Sequence, residues 1–407
     1  MENTVPRPAR KKIIFIANLD TGQGMSGGSR IYFELLKKIP ENFETFLFGS
    51  RGTIRRLEQE NVKGVTFVET DKNDETDLYS LFGVFYHSLV RLAKGIRTVR
   101  RQKGITEGVD YIFSVSDFLP DIIPAIFLKW RKPQAKWIAA FYFFAPKPWQ
   151  KVNPYATSIM RRIMGIGYWL TQLLGYWLIR KNADLVIACN ELDRKIFLQD
   201  GFPAEKIISI YGGVDLDFIN SIPAPQEKMY HAVFMARFHP QKGPLVAVKA
   251  WEEVVKNMPD AQLLMIGNGS EEQQVISFIE EKHLEQNVTL VGFKDGAEKY
   301  ALLKSARIFL HSAIYETGGM AAAEGMACGL PVVAFDQEGF EYCYPQGLLG
   351  VSPIGDYQKI AEAVLQLLHN EEKYSILKHD AFELVSREWD WNKRVRFVLD
   401  KVRNLEN

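Results

Sequence analysis

The sequence predicts an α/β protein of two domains, each built on a parallel sheet with helices on both faces. Three observations predict it. The chain has 407 residues, too many for one ordinary core and enough for two. Short apolar runs alternate with helical patterns in two successive sets, as strands buried on both faces do. Glycine-bearing loops follow two of the early strands of those sets, at the carboxyl ends where such sheets bind ligands. With 47% hydrophobic and 24% charged residues, the composition is that of a soluble globular protein.

Taken in order, residues 1–12 are polar and Pro-containing and read as a mobile tail. The run Ile13–Leu19 is too short for a signal-peptide core and reads as the first strand, so no secretory signal is expected. Gly22-Gln-Gly24-Met-Ser-Gly27 then gives a G-x-G-x-x-G between strand and helix, the fingerprint of a dinucleotide site. The second strand, Phe43–Phe48, ends without the acidic residue that would take a ribose hydroxyl. Arg51, Arg55 and Arg56 leave an NADP reading open, and glycines used only for turning are the bland one. Val65–Val68 is the third strand. On Phe82–Lys103, residues Phe85, Leu89, Leu92, Ile96 and Val99 form one helical stripe with Lys94, Arg97 and Arg101 opposite, an amphipathic basic helix. Tyr111–Val115 is a strand that delivers Ser116 and Asp117 to a loop, and Trp137–Phe144 is the next. Ile163–Ile179 is seventeen uncharged residues between two basic pairs, at the short limit for spanning a membrane. Its glycines, Gln172 and the strand Leu185–Cys189 directly after it make it interfacial or core. Either helix could equally be a packed domain helix.

Gly213-Val-Asp215 and Ser221–Pro225 read as a linker. Asp215-Leu-Asp217 is a D-x-D, but it falls in this turn, and no metal site is assigned. The second set of strands is His231–Ala236, Leu263–Gly267, Val288–Phe293, Ile308–Ser312 and Pro331–Phe335. Arg237 and Lys242 flank the loop after the first of these. They are either two surface cations or a diphosphate clamp, Arg supplying a planar fork and Lys a point charge. Between the last two strands lies Glu316-Thr-Gly-Gly-Met-Ala-Ala-Ala-Glu324. Glu316 falls in a strand-to-helix loop, Gly318, Gly319 and Met320 at the helix start, and Glu324 a turn inside a helix closed by Gly329. The bare N–H groups of a helix start hold anions, and carboxylates on either side accept bonds from hydroxyls. Phosphate flanked by hydroxyls describes a sugar nucleotide. A plain helix-surface carboxylate is the alternative for Glu324, disfavoured by its apolar neighbours. Glu371–Leu405 looks helical, with Trp389, Trp391, Val395, Phe397, Val398 and Val402 as apolar anchors.

The formal net charge of +1 hides an asymmetry. Residues 1–181 carry 28 Lys and Arg against 16 Asp and Glu, and residues 182–407 carry 22 against 33. The basic half should face something anionic. No motif supports nucleic acid, so an anionic membrane surface or a phosphate-bearing acceptor is the expected partner. Cys189, Cys328 and Cys343 show no paired or metal-ligand spacing, which fits a reducing compartment. A cytoplasmic protein is expected, held peripherally at the inner face of the membrane.

The Glu316–Glu324 segment resembles the Glu-x7-Glu motif of retaining glycosyltransferases of family 4, which have the two-domain GT-B architecture. Gly325-Met-Ala-Cys-Gly-Leu-Pro-Val-Val333 fits that family's continuation. Phe234-Met-Ala-Arg237-Phe-His-Pro-Gln-Lys242-Gly243 resembles its strand, Arg, Lys-Gly element, and Gly27-Gly28-Ser29-Arg30 its N-terminal glycine loop. The matches span most of the chain in family order. The resemblance implies two Rossmann-like domains facing across a cleft: an acceptor domain at 13–215, a nucleotide-sugar domain at 216–385, and a C-terminal helix at 386–407 returning to the first. It implies a nucleotide-diphosphate sugar as co-substrate, a saccharide or lipid-linked acceptor, and neither cofactor nor metal. Arg237 and Lys242 would then clamp the leaving diphosphate, and Glu316 would hold a hydroxyl of the donor sugar. Glu324 would hold the ribose. Backbone at Gly27, Gly28, Gly318, Gly319 and Met320 would meet phosphate, and the chain at Gly292-Phe293 the base. Many relatives carry a His where Ser116 stands, thought to touch the donor sugar. Here Ser116 and Asp117 are the candidates for sugar or acceptor contact. Nucleotide-sugar epimerases and non-catalytic sugar-nucleotide binders are the competing classes.

Overall fold

The computed structural model describes residues 10–19, 27–72, 81–142, 144–150, 159–316, 318–337, 340–344 and 349–406. The chain divides into two compact units, Met1–Ile210 with Val395–Asn407, and Tyr211–Arg394.

Unit 1 runs β1 Lys11–Ala17, α1 Gly27–Lys37, β2 Phe43–Ser50, α2 Arg51–Gln59, β3 Val65–Asp71, α3 Leu81–Arg101, α4 Lys103–Thr106, β4 Tyr111–Ser114, α5 Leu119–Arg131, β5 Lys136–Phe141, α6 Ile159–Asn182, β6 Leu185–Ala188, α7 Glu191–Gln199 and β7 Ile207–Ser209. Its seven strands are all parallel in the order β3-β2-β1-β4-β5-β6-β7. Lys11 and Lys12, expected in the tail, open β1 instead. Their amides are taken by Asn42 O at 3.1 Å and Asp110 Oδ2 at 2.7 Å. The rest of the expected tail and Gly22–Ser26 of the glycine loop lie outside the described residues. β1 stops at Ala17, short of Leu19, because the next amide, Asn18 N, donates to Asp121 Oδ1 at 2.6 Å.

Helix α3 does not present the expected stripe. Leu89 is exposed, and the inward line is Arg91, Gly95 and Val99. The Arg91 guanidinium reaches Asn18 O at 3.2 Å. Gly95 lets the helix close on Asn18 and Pro124. Lys94, counted on the basic face, pairs with Asp71 at 2.6 Å. The side chain of Phe85 lies outside the described residues.

Unit 2 runs α8 Leu216–Ser221, β8 Tyr230–Met235, α9 Pro244–Asn257, β9 Leu263–Ile266, α10 Glu272–Glu281, β10 Val288–Leu290, α11 Gly296–Lys304, β11 Ala306–His311, α12 Met320–Ala327, β12 Val332–Phe335, β13 Leu349–Ser352, α13 Tyr357–His369 and α14 Glu371–Glu388; α15 Trp391–Arg403 begins in it. The parallel order is β10-β9-β8-β11-β12-β13. Alternate residues of one strand feed two cores: Val233 and Met235 pack with α12 and α14, Ala232 and Phe234 with α9, α10 and α13. That is why these strands read as unbroken apolar runs.

The expected linker takes up secondary structure only in its first part, and residues 222–225 form neither helix nor strand. Asp215 caps α8, accepting Phe218 N at 3.1 Å, and Val214 N donates to Trp389 O at 2.8 Å. The expected single terminal helix breaks between Glu388 and Trp391. Trp389, Trp391, Val395, Val398 and Val402 are buried as anchors, whereas Phe397 is exposed.

Candidate functional site

In a parallel sheet the crevice opens where the strand order reverses, outside the carboxyl ends. In unit 2 that point lies between β8 and β11, and the loops after these strands carry Arg237, Lys242, Glu316, Gly318 and Gly319.

The two loops are stitched together. Ile314 N donates to Gln241 O, and Gln241 Nε2 to Tyr315 O, both at 2.9 Å. Ser312 Oγ donates to Gly243 O at 2.8 Å. Gly243 has φ 64°, and a Cβ there would lie 2.2 Å from Ser312 O, so only glycine allows this approach. The result sets the Lys242 ammonium against the Glu316 carboxylate in a short ion pair. The residue expected on phosphate and the one expected on a sugar hydroxyl therefore touch each other. Arg237 is exposed and makes no ion pair among the described residues.

Behind Glu316 stands His311, at the end of β11, its Nε2 4.0 Å from Glu316 Oε2. It is buried, and Nε2 has no hydrogen-bond partner among the described residues. Burial pushes its pKa down to about 4, against the raising effect of Glu316. It is therefore a neutral imidazole at physiological pH.

Gly319 is the N-cap of α12. The Tyr344 hydroxyl contacts the carbonyls of Gly318 and Gly319 at 3.1 and 3.0 Å, fixing the strand-to-helix turn; Thr317 lies outside the described residues. The first-turn amides of a helix have no intrahelical acceptor, so this end offers N–H groups and a positive dipole. Met320 packs against Gly212. One turn in, Glu324 Oε1 accepts from Lys299 Nζ and Tyr300 Oη, each at 2.8 Å. Among the described residues its hydrogen bonds all fall on Oε1. Phe293, in the loop after β10, is exposed.

Unit 1 reverses between β1 and β4. Here Ser116 Oγ donates to Asp121 Oδ2 at 2.5 Å, and Asp117 Oδ2 accepts from Gln172 Nε2 at 2.8 Å. Both candidates are thus engaged inside the unit. Burial raises Asp117 to about 6, opposed by the Gln172 bond. Burial also raises Asp193 to about 8, the Phe144 amide opposing and Asp117 adding. Gly27 and Gly28 open α1, and a Cβ on Gly28 would lie 2.5 Å from the Tyr142 ring. The Tyr142 hydroxyl is buried without a partner among the described residues.

Lys299, Tyr300 and His311 are absent from the sequence-level site. Each comes from a different element than its partner, and no local spacing marks it. Gln172 did carry a signal, as a lone amide in an apolar run.

Residues 217–383 match the family described as glycosyl transferases group 1. The phosphatidyl-myo-inositol mannosyltransferase of Mycobacterium leprae is 32% identical over 46% of this chain and 50% of its own. The chain spans about half the length of the curated relatives it matches. Two solved structures align over 97% of this chain and 99% of theirs, each with TM-score 0.70. One is the Anabaena protein HepE in complex with UDP and glucose, at 16% identity, and the other a sucrose-phosphate synthase from Thermosynechococcus elongatus, at 18%. The fold is GT-B: two parallel-sheet α/β domains.

Proposed function

We propose that the chain is a retaining, metal-independent hexosyltransferase. It moves a sugar from a nucleotide-diphosphate donor to a saccharide or lipid-linked acceptor in envelope or polysaccharide synthesis, at the cytoplasmic face of an anionic membrane. The observation that carries this reading is the Lys242–Glu316 pair on the loops after β8 and β11, which also carry Arg237 and lead into α12, at the switch point of one sheet. The family match over unit 2 supports it, as do the mannosyltransferase relative and the UDP and glucose bound by a protein of the same fold.

The chemistry follows from the groups present. A diphosphate at the α12 start draws Lys242 away from Glu316 and meets Arg237, so the charge that grows on the leaving group is balanced. Glu316, released from its ion pair, accepts a hydroxyl of the donor sugar. Neutral His311 beside it adds no competing cation. Glu324, held by Lys299 and Tyr300 through one oxygen, offers the other to the ribose. The acceptor oxygen attacks the anomeric carbon on the face the diphosphate leaves, its hydroxyl proton passing to the departing diphosphate oxygen, with no covalent protein intermediate. Asp215 of the D-x-D serves as a helix cap, and phosphate neutralisation falls to the two cations.

Incubation with a panel of sugar nucleotides, alone and with saccharide and lipid-linked acceptors, tests this. Release of free nucleoside diphosphate with transferred sugar of unchanged anomeric configuration is expected. An isomerised sugar still attached to its nucleotide would mean an epimerase. Tight binding without turnover across panel and acceptors would mean a non-catalytic binder.

A further inference from the structure

Helix α6 is amphipathic the wrong way round for a surface helix. Its buried line includes Gly165, Gln172, Gly175 and Ile179, with a Cβ on Gly175 set to meet Asp117 O at 2.8 Å. Its outward line, at spacings of three and four, is Ile159, Ile163, Ile166, Leu170, Leu174 and Trp177, between 41% and 79% exposed. The amide faces inward and the leucines face water. A contiguous apolar patch of this kind marks an interaction surface.

Charge and aromatic placement select the occupant. The helix carries Arg161, Arg162, Arg180 and Lys181 and no acidic residue. Arg180 lies 3.8 Å from Asp200, and Arg161, Arg162 and Lys181 are solvent-exposed. Trp149, exposed, packs edge-on against Trp169 of α6 at 5.4 Å. Exposed Trp130 donates to Asn182 at the other end, at 3.2 Å. A second copy docked along this line would set basic ends against basic ends in either orientation, with no carboxylate on the helix to answer them. An anionic lipid surface matches this layout, with the exposed cations and indoles at the headgroups and the leucines below. Among the described residues no helix is long and apolar enough to cross a membrane.

We propose that α6 lies in the plane of an anionic lipid surface as the docking element of the protein. This rests on the membrane part of the proposed function and names its structural seat, α6 instead of the basic helix α3. It also couples docking to the site. The same helix holds Asp117 through Gln172, which ties the lipid face to the loop after β4.

The test is flotation of the full-length protein with phosphatidylcholine vesicles, with and without phosphatidylglycerol, at low and high salt. The variants are Leu170→Asp/Leu174→Asp and Arg161→Gln/Arg162→Gln, with thermal melting and nucleotide binding as checks of the fold. Wild type should bind only the anionic vesicles, and less in high salt. The leucine variant should lose at least tenfold in binding, and the arginine variant roughly fivefold per cation. Full binding by both variants would overturn α6 as the seat and leave the membrane reading standing. Absence of wild-type binding to any vesicle would overturn both. A dimer that Leu170→Asp/Leu174→Asp dissociates would make a second copy the occupant. Donor hydrolysis in the same samples, without lipid, reports separately on glycosyl transfer.

Discussion

Gly243→Ala tests the coupling between the two site loops. In the left-handed region alanine costs about 1–2 kcal/mol more than glycine. Its Cβ would sit 2.2 Å from Ser312 O, far inside contact distance, so the loops must part by about an ångström. That also removes the Ser312–Gly243 hydrogen bond, worth about 1 kcal/mol. The destabilisation of unit 2 is therefore about 2–3 kcal/mol, roughly thirty- to a hundred-and-sixtyfold in its unfolding equilibrium. Lys242 is the adjacent residue and moves with the loop; a misplacement of about 1 Å can cost roughly a hundredfold in rate. Equilibrium urea unfolding followed by circular dichroism, beside donor turnover, measures both. Ser312→Ala should lose only the hydrogen bond. A Gly243→Ala protein with the stability and turnover of wild type would refute the tight approach of these loops.

Other outcomes follow from the same geometry. Tyr300→Phe and Lys299→Met each remove one bond from Glu324 Oε1, so nucleotide affinity measured by calorimetry should fall several-fold in each; unchanged affinity would detach Glu324 from the ribose. Transfer should survive a strong chelator, and loss of activity restored by Mn²⁺ would show a metal-binding carboxylate set. His311 is neutral when folded, with its pKa down at about 4 against 6.5, so the unfolded chain binds the extra proton between those values. Unit 2 should therefore lose stability as pH falls from about 6.5 to about 4, by about 3 kcal/mol in all. Asp193, raised to about 8, has the opposite sign, and unit 1 should lose stability as pH rises toward 8. Stability–pH profiles of His311→Gln, with the slope between about 4 and 6.5 removed, and of Asp193→Asn, with the slope removed above about 6 where Asp117 no longer contributes, would verify both assignments.

The parallel strands were legible because both faces of each are buried, as Ala232 to Met235 illustrate. β7, Ile207–Ser209, and β13, Leu349–Ser352, are too short to stand out. Helix α3 misled because a glycine and an arginine bury better there than leucine. Gly95 permits close approach, and Arg91 finds a carbonyl. The Glu316–Glu324 loop declared itself by local order alone. The partners that orient it come from α11 and β11, and tertiary neighbours leave no trace in spacing. Lys242 and Glu316 were each assigned to the ligand, and their contact with each other needed the folded loops.

The most direct test of the account is sugar-nucleotide turnover by Arg237→Ala, Lys242→Ala and Glu316→Gln beside wild type, with melting to check the fold. All three should melt like wild type within a few degrees. Turnover should fall about a hundredfold or more in the first two, and in Glu316→Gln transfer should fall while nucleotide binding is largely kept. Near-normal turnover in Arg237→Ala and Lys242→Ala would contradict the assignment of this loop pair as the place where the diphosphate leaves.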